Sequence, residues 1–517
     1  MKNRGYFAFA LVAPIAAATW LGACSSDGGS SSSGSSPSNN PDSGAVETGG
    51  PAPTVTGNGE QAKVTVTGPS APVQLVQGGS VEIEVAITRS GPAGSVQLTI
   101  TDLPAKVIAT AETIPAGTVS AKLKLVAEAS ADQVVAKPKV VATVVGATAR
   151  AEATFGLTVR GPAGALDTTF GTNGRVLFAA SNLMRGVHAT KDGKVLAWGG
   201  DGTDPVLARY LPDGTLDPSF ADAGRYKRKN TGAAGPTSFE AAATLADGRI
   251  MLLTTRGSGS PRAVLTRVGA DGVYDPTFGE QVLGTGNGVG VAIRREAGGR
   301  LAVQYTNNAP MITRLLDADG TPTANVQSTC GDDLSGGVTA LLSTTEALCY
   351  PTTFNGVEKR TLGADTVAAQ SADLGLDFGS DTFFPGRVVL QGPTRAYAAG
   401  MVGGTAALFG LANADLALDA AYGTAGKADS FAGSKVAFAL ATGGDTVTLG
   451  GESAGGVVVA RHLANGKLDP GFGSAGVATL PTDGQSNLRI HGLTALPDGR
   501  VVVAIVGTDS RLLRLWP

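Results

Sequence analysis

Asp213-Gly-Thr-Leu-Asp217-Pro-Ser-Phe220 is a stretch that this chain repeats at nearly constant spacing. Clear further copies are Gly164-Ala-Leu-Asp167-Thr-Thr-Phe170-Gly171-Thr-Asn-Gly174, Asp271-Gly-Val-Tyr-Asp275-Pro-Thr-Phe278-Gly279 and Asn465-Gly-Lys-Leu-Asp469-Pro-Gly-Phe472-Gly473. A weaker copy is Asp415-Leu-Ala-Leu-Asp419-Ala-Ala-Tyr422-Gly423. The second Asp recurs after 50 residues (Asp167 to Asp217) and after 58 (Asp217 to Asp275), and the 144 residues from Asp275 to Asp419 are three times 48. Two eroded copies are therefore expected inside that gap, near Asp319-Gly-Thr-Pro-Thr323 and near Gly363-Ala-Asp365-Thr. The count is seven copies of a unit of about fifty residues.

Each unit carries the same further pieces. Lys191-Asp-Gly-Lys-Val-Leu-Ala-Trp198, Ala246-Asp-Gly-Arg-Ile-Met-Leu-Leu253 and Pro497-Asp-Gly-Arg-Val-Val-Val-Ala504 read as strand, tight turn, strand. Asp-Gly between apolar runs signals a hairpin because Gly accepts the positive φ of the turn. A third strand ends in Arg, as in Leu207-Ala-Arg209, Leu265-Thr-Arg267, Val459-Ala-Arg461 and Leu513-Arg514. The Asp-Phe stretch follows, and then a short fourth strand such as Arg175-Val-Leu-Phe178. Four strands at this period predict a β-propeller blade. The region opens on a turn and a fourth strand and closes on three strands, so strand 175–178 is expected to complete the last blade around residues 488–516. The expected fold is all-β, a seven-bladed β-propeller over 164–517.

The consensus Asp-Gly-x-Leu-Asp-x-x-Phe-Gly-x-x-Gly is similar to the delta-60 repeat of a bacterial β-propeller family. The resemblance covers about 350 residues. It implies a propeller in a long secreted or surface protein, and no agreed activity. The motif residues themselves read as structural. Asp167, Asp217, Asp275 and Asp469 can accept local backbone N–H bonds, and Phe170, Phe220, Phe278 and Phe472 can fill the wedge between blades. Calcium wants six to eight oxygens, and these loops offer one or two carboxylates each. The strand-three arginines are expected to pair with neighbouring Asp residues.

Upstream, residues 61–161 alternate with period two, as in Ser80-Val-Glu-Ile-Glu-Val-Ala-Ile and Ala121-Lys-Leu-Lys-Leu-Val. About seven such strands over one hundred residues predict an immunoglobulin-like β-sandwich, without the Cys and Trp of antibody domains. Leu103-Pro-Ala-Lys-Val-Ile and the following strands resemble bacterial surface Ig-like modules. Residues 24–60 are mostly Ser, Gly, Pro, Asn and Asp, a disordered linker reaching about 30 Å. Residues 1–23 read as a signal peptide, with Lys2 and Arg4 before the apolar run Tyr6 to Trp20. Leu21-Gly22-Ala23-Cys24 resembles the lipobox of bacterial lipoproteins, which implies acylation of Cys24 and a membrane anchor. Ser25, by resemblance to enteric sorting, implies the outer membrane or cell surface.

Glycine makes up 74 of 517 residues, charged residues only 16% and aromatics 5%, with a net charge of −3. That balance gives no footprint for nucleic acid, and few aromatics weaken a sugar-stacking platform. Cys330 and Cys349 are expected to form a disulfide in an exported protein, or to be two unrelated buried thiols. No catalytic residue, metal site or cofactor is expected. Gly451-Glu-Ser453-Ala-Gly455 matches a nucleophile elbow in letters, but a strand follows it where the elbow needs a helix. His188 and His462 read as ordinary strand residues.

One constellation stands out. Seven residues before the hairpin Asp, the innermost strands carry Arg185, Glu240 and His491 in neighbouring blades, where other blades carry Val291, Gly337, Gly386 and Val436. These polar groups would gather on one side of the channel mouth, a candidate ligand site. The expected function is a non-enzymatic binding or scaffold lipoprotein of the cell envelope, taking an unknown protein or glycan ligand. The alternatives are a propeller enzyme of lactonase or lyase type and a purely structural spacer.

Overall fold

The computed structural model describes residues 63–517 apart from breaks, the longest at 229–237, 328–339 and 377–387. The signal peptide, Cys24, the linker, Cys330, Gly337 and Gly386 lie outside the described residues, as does the turn at 362–365. Every regular element among the described residues is a strand. Two compact units meet in sequence between Gly161 and Pro162.

The first unit is a set of short, mostly antiparallel sheets around one apolar core. Strand Ser80–Ser90 pairs with Lys63–Thr67 on one side and Ser120–Ala127 on the other. Its alternation decides its faces: Ile83, Val85 and Ile87 point into the core with Leu98, Leu123 and Val140, while Glu82 and Glu84 are exposed. A second sheet is built on Val96–Thr101 and Lys139–Val144. A third pairs Leu157–Arg160 in parallel with Val73–Val76. Eleven strands are found among its described residues where about seven are expected. The surplus consists of three-residue pieces such as Val107–Ala109, Glu112–Ile114 and Val134–Ala136. Pro104, Pro115 and Pro138 flank them and cannot donate to a ladder, so the strands stay short.

The second unit, from Pro162, is a β-propeller. It contains seven four-stranded sheets among the described residues. In the sheet that follows strand Arg175–Ala179 the order is Gly186–Ala189, Val195–Gly200, Pro205–Tyr210, Arg225–Lys227. The second strands are apolar on both faces, and Val195–Gly200 and Val501–Val506 are buried along their whole length. Such strands lack the alternation of a half-buried sheet because neighbouring sheets cover both faces. Strand Arg175–Ala179 pairs antiparallel with Ser510–Leu515, so one sheet is made from the beginning and the end of this unit.

The repeated motif forms a clip on each of four sheets. Asp217 accepts from the amide (3.0 Å) and hydroxyl (2.6 Å) of Ser219 through Oδ1. Its Oδ2 takes Arg209 Nε at 2.8 Å, and the guanidinium lies 4.4 Å over the fully buried Phe220 ring. Burial alone would raise the Asp217 carboxyl; the Ser219 bonds, Lys194 and Arg209 outweigh it and hold the group at about 2. The same clip joins Arg267 to Asp275 and Phe278, Arg461 to Asp469 and Phe472, and Arg514 to Asp167 and Phe170. The clip also reaches the next sheet. Arg209 Nη1 donates to the Ala270 carbonyl at 2.6 Å, and the Gly171 amide donates to the Asp213 carbonyl at 2.6 Å. Gly214 sits at φ +87°, and a Cβ there would stand 2.5 Å from the Gly171 nitrogen, so only glycine lets adjacent turns touch.

Candidate functional site

The first strand of each sheet contacts the first strands of its neighbours. Gly186–Ala189 lies against Arg489–Ala495 and Phe239–Thr244, and Phe239–Thr244 lies against Gly290–Arg295. These strands are interrupted at one point. In Phe239–Thr244 the pairing with the second strand skips Glu240; in Arg489–Ala495 it skips His491; in Gly290–Arg295 it skips Val291. Each skipped residue is the extra residue of a β-bulge, a device that re-aims a side chain away from the ladder. Arg185 holds the matching place, one residue before the first ladder pair, Gly186 with Trp198, and its amide donates to the Trp198 carbonyl at 2.8 Å.

The structure brings Arg185 and Glu240 together. Arg185 Nε stands 3.2 Å from Glu240 Oε2, and both residues are buried, at 6% and 8% exposure. Glu240 Oε1 accepts from the buried Ser238 hydroxyl at 3.0 Å. Trp198 Nε1 reaches the Glu240 carbonyl oxygen at 3.4 Å, tying the bulge to the neighbouring sheet. His491 is buried on the other flank. Burial, then the charges of Arg185 and Arg489, push its imidazole down to about 3, against a hydrogen bond with the Met184 backbone. His491 is therefore neutral throughout the physiological range. Three sheets contribute one polar side chain each, and the half-buried Arg489 stands two residues before His491 on the same strand.

The arrangement can hold a ligand through charge and hydrogen bonds. It is poorly matched to proton transfer at neutral pH, because a group titrating near 3 is far from the working range of a general acid–base pair. Sequence reasoning counted back from the hairpin Asp to find Arg185, Glu240 and His491. It missed Ser238 and Arg489, each two residues from a bulge residue, and Trp198, whose role depends on a contact between sheets. Residues two apart on a strand share a face, and that spacing is the signal that could have found Ser238 and Arg489.

Other predicted residues fall elsewhere. The carboxylates of Asp167, Asp217, Asp275 and Asp469 all serve clips. Cys349 is fully buried on strand Glu346–Cys349. His462 is fully buried, with Nδ1 2.9 Å from the Gly466 carbonyl and Nε2 3.1 Å from Ser430 Oγ. His188 is on strand Gly186–Ala189. Ser453 ends strand Thr446–Ser453 and pairs with Gly456 across a hairpin, its hydroxyl donating to the Gly456 carbonyl at 3.2 Å. No group of three or more His, Cys, Asp or Glu gathers among the described residues. No helix among them is long and apolar enough to cross a membrane.

Comparison with known proteins reaches the fold. A family model described as a β-propeller domain of unknown function, DUF5122, matches residues 190–220. That segment holds one hairpin turn, one third strand and the clip ending in Phe220. No curated protein matches the sequence. Similar solved structures include virginiamycin B lyase from Staphylococcus aureus, at 10% identity and TM-score 0.42, covering 65% of this chain and 95% of that one. The Dos1 propeller has 11% identity and TM-score 0.39, covering 66% and 93%. The Malassezia sympodialis allergen Mala s 1 has 10% identity and TM-score 0.34, covering 67% and 96%. They include a lyase and an allergen, and no activity is carried from either to this chain.

Proposed function

We propose that this chain is a lipid-anchored protein of the cell envelope whose propeller binds a ligand without transforming it. In this reading Cys24 carries the lipid, residues 24–60 form the tether and an immunoglobulin-like sandwich spans 61–161. A seven-bladed ring over 164–517 holds the binding site at Arg185, Glu240 and His491. The seven sheets, the contacts between their first strands and the pairing of Arg175–Ala179 with Ser510–Leu515 support the closed ring. The buried Cys349 is proposed to pair with Cys330.

One observation carries the binding role: two neighbouring bulges, and the matching place at Arg185 between them, are polar where Val291 fills the same bulge in the next sheet. The fold accepts an apolar residue there. A buried ion pair is often no more stable than well-packed apolar residues, so a ligand is the better reason for its presence. The neutral imidazole favours binding over acid–base catalysis. The test screens the full chain and its Arg185→Gln variant against glycan arrays and small metabolites, while following each bound compound for turnover. Binding of an unchanged compound, lost in the variant, is the expected result. Equal binding by both proteins, or conversion of the compound, overturns the reading. Loss of membrane association in Cys24→Ser tests the anchor.

A further inference from the structure

We infer that a basic surface shared by two neighbouring sheets takes an acidic polysaccharide whose sugars carry carboxylates. None of its residues is a bulge residue, and it does not depend on what the bulges bind. Arg225, Lys227 and Arg228 fall within four residues, on and just after the outer strand Arg225–Lys227 of one sheet. In the next sheet Arg256 ends the second strand, Ile250–Arg256, and Arg262 opens the third, Arg262–Val268. Glu280 joins the two sheets: one oxygen takes Arg228 Nη2, and the other takes Arg256 Nη1 at 2.8 Å. Arg256 and Arg262 are direct cross-strand partners, so their side chains leave the same face. Like charges placed opposite one another destabilise a ladder. Arg262 has no side-chain hydrogen bond or ion pair among the described residues. Two of these three guanidinium groups therefore share one carboxylate and the third has none, in a chain whose net charge is −3. An anion from outside relieves that local surplus.

The kind of cation and its depth narrow the partner. Arginine presents a planar fork of donors that matches a carboxylate. The cations are stepped: the Arg228 side chain is 14% exposed and that of Arg256 is 45% exposed. Arg228 is recessed because its Nη1 reaches the buried Thr254 hydroxyl at 3.5 Å. A thin, flexible chain with a carboxylate on each sugar can follow such a step. The flat face of a bilayer, or the broad cylinder of a DNA duplex, meets only the outermost charges. Stacking on sugar faces has little to offer here. Tyr226, on the same outer strand, is packed on the Phe239 ring, with centroids 6.0 Å apart and 20° between planes. Recognition therefore rests on charge, and salt weakens it.

The test measures binding to the full chain at low salt, using oligogalacturonate, with dextran as the neutral polysaccharide and dextran sulfate as the sulfated one. Vesicles of phosphatidylglycerol in phosphatidylcholine and duplex DNA are the other polyanions. Arg262→Gln breaks no side-chain contact among the described residues, so its effect reads surface charge and not folding. The expected result is saturable binding of oligogalacturonate, weakened about two- to fivefold by Arg262→Gln and about tenfold when Arg256→Gln is added. Lys467→Gln removes the same charge from an exposed turn of another sheet and should leave binding unchanged. Equal weakening by Lys467→Gln would reduce the effect to net charge and overturn the site. No binding of oligogalacturonate, or equal binding of dextran, overturns the surface as a whole. Tighter binding of dextran sulfate overturns the carboxylate, and tighter binding of vesicles or DNA overturns the polysaccharide.

Discussion

The two arcs of the propeller solve the same problem differently. Around Asp167, Asp217, Asp275 and Asp469 the third strand ends in Arg, and Arg, Asp and Phe interlock. Between Asp275 and Asp469 this breaks down in stages. At Asp419, Gly410 occupies the Arg position, its carbonyl receiving the Asp419 amide at 2.9 Å. The cation comes from the adjacent strand instead: Arg395 stands 3.0 Å from Asp419 and 5.0 Å over the Tyr422 ring. At Asp319 the clip is gone. Strand Pro322–Gln327 turns back directly on Met311–Leu316, and Leu316 pairs with Pro322. The tether to the neighbouring sheet survives, since Arg267 Nη1 still donates to the Asp319 carbonyl at 2.9 Å. In the next sheet Lys359 does this work among the described residues, reaching the Asn413 and Ala414 carbonyls at 2.7 and 2.9 Å. The motif therefore has two separable jobs, closing its own turn and holding the next sheet, and erosion removes the first.

The same division marks the candidate site. Arg185, Glu240 and His491 stand on three sheets that carry full clips, at Asp217, Asp275 and Asp167, whereas Val291 stands on a sheet that has lost its clip. Groups that must meet within hydrogen-bonding distance gain from rigid support.

The sharpest way to break this comparison is Asp167→Ala. Asp167 is fully buried and holds Arg514 Nε at 2.7 Å and Arg500 Nη1 at 2.9 Å. Its loss leaves the buried Arg514 without its carboxylate and Arg500 with Asp498 alone, and a destabilisation of about 3–5 kcal/mol is expected in denaturant unfolding. Asp419→Ala, at a more exposed pair, should cost clearly less; equal costs would show the two arcs to be equivalent. Next comes Gly410→Ala, whose Cβ would stand 2.7 Å from the Tyr422 ring. Overpacking there should cost about 1–3 kcal/mol, while a neutral result would mean the substitute clip is loosely packed. Lys359→Met removes the surviving tether of an eroded sheet and should cost about 1 kcal/mol; hydrogen exchange at Ala412 and Ala417 reads the loss locally.

At neutral pH the smallest effect expected is from titration, and it grows as pH falls. His491 titrates near 3 when folded and near its ordinary value when unfolded. The unfolded chain then binds the extra proton between those values, so stability falls as pH drops through that window. His491→Gln should flatten that part of the stability curve, and an unchanged slope would place the imidazole in a more open setting. The clip at Asp217 acts lower: its carboxyl is depressed to about 2, so its contribution is present above the ordinary carboxylate range and lost as pH falls through about 2.

Much of this was legible in the chain. The Asp-Gly turns and the Arg, Asp and Phe positions recur because each is demanded by a local geometry, and counting from a turn located Glu240 and His491 on their bulges. Arg395, Lys359 and Ser238 were not legible. Each replaces or supports a contact from another strand, so no fixed offset marks it. The eroded turns misled in one respect: the expectation of a degraded motif at Asp319 overlooked a shorter path, in which the fourth strand follows at once and no buried Phe is needed.

Asp167 has a further consequence, which concerns time. Its two arginine partners lie 333 and 347 residues further along the chain. During synthesis strand Arg175–Ala179, the first of the propeller, must wait, with an unpaired edge, until Ser510–Leu515 emerges. Such a non-local pairing is slow to form, and an open edge invites other chains. The buried carboxylate is thus the last joint to be made, and the period before it closes is when this protein is most exposed to misassembly.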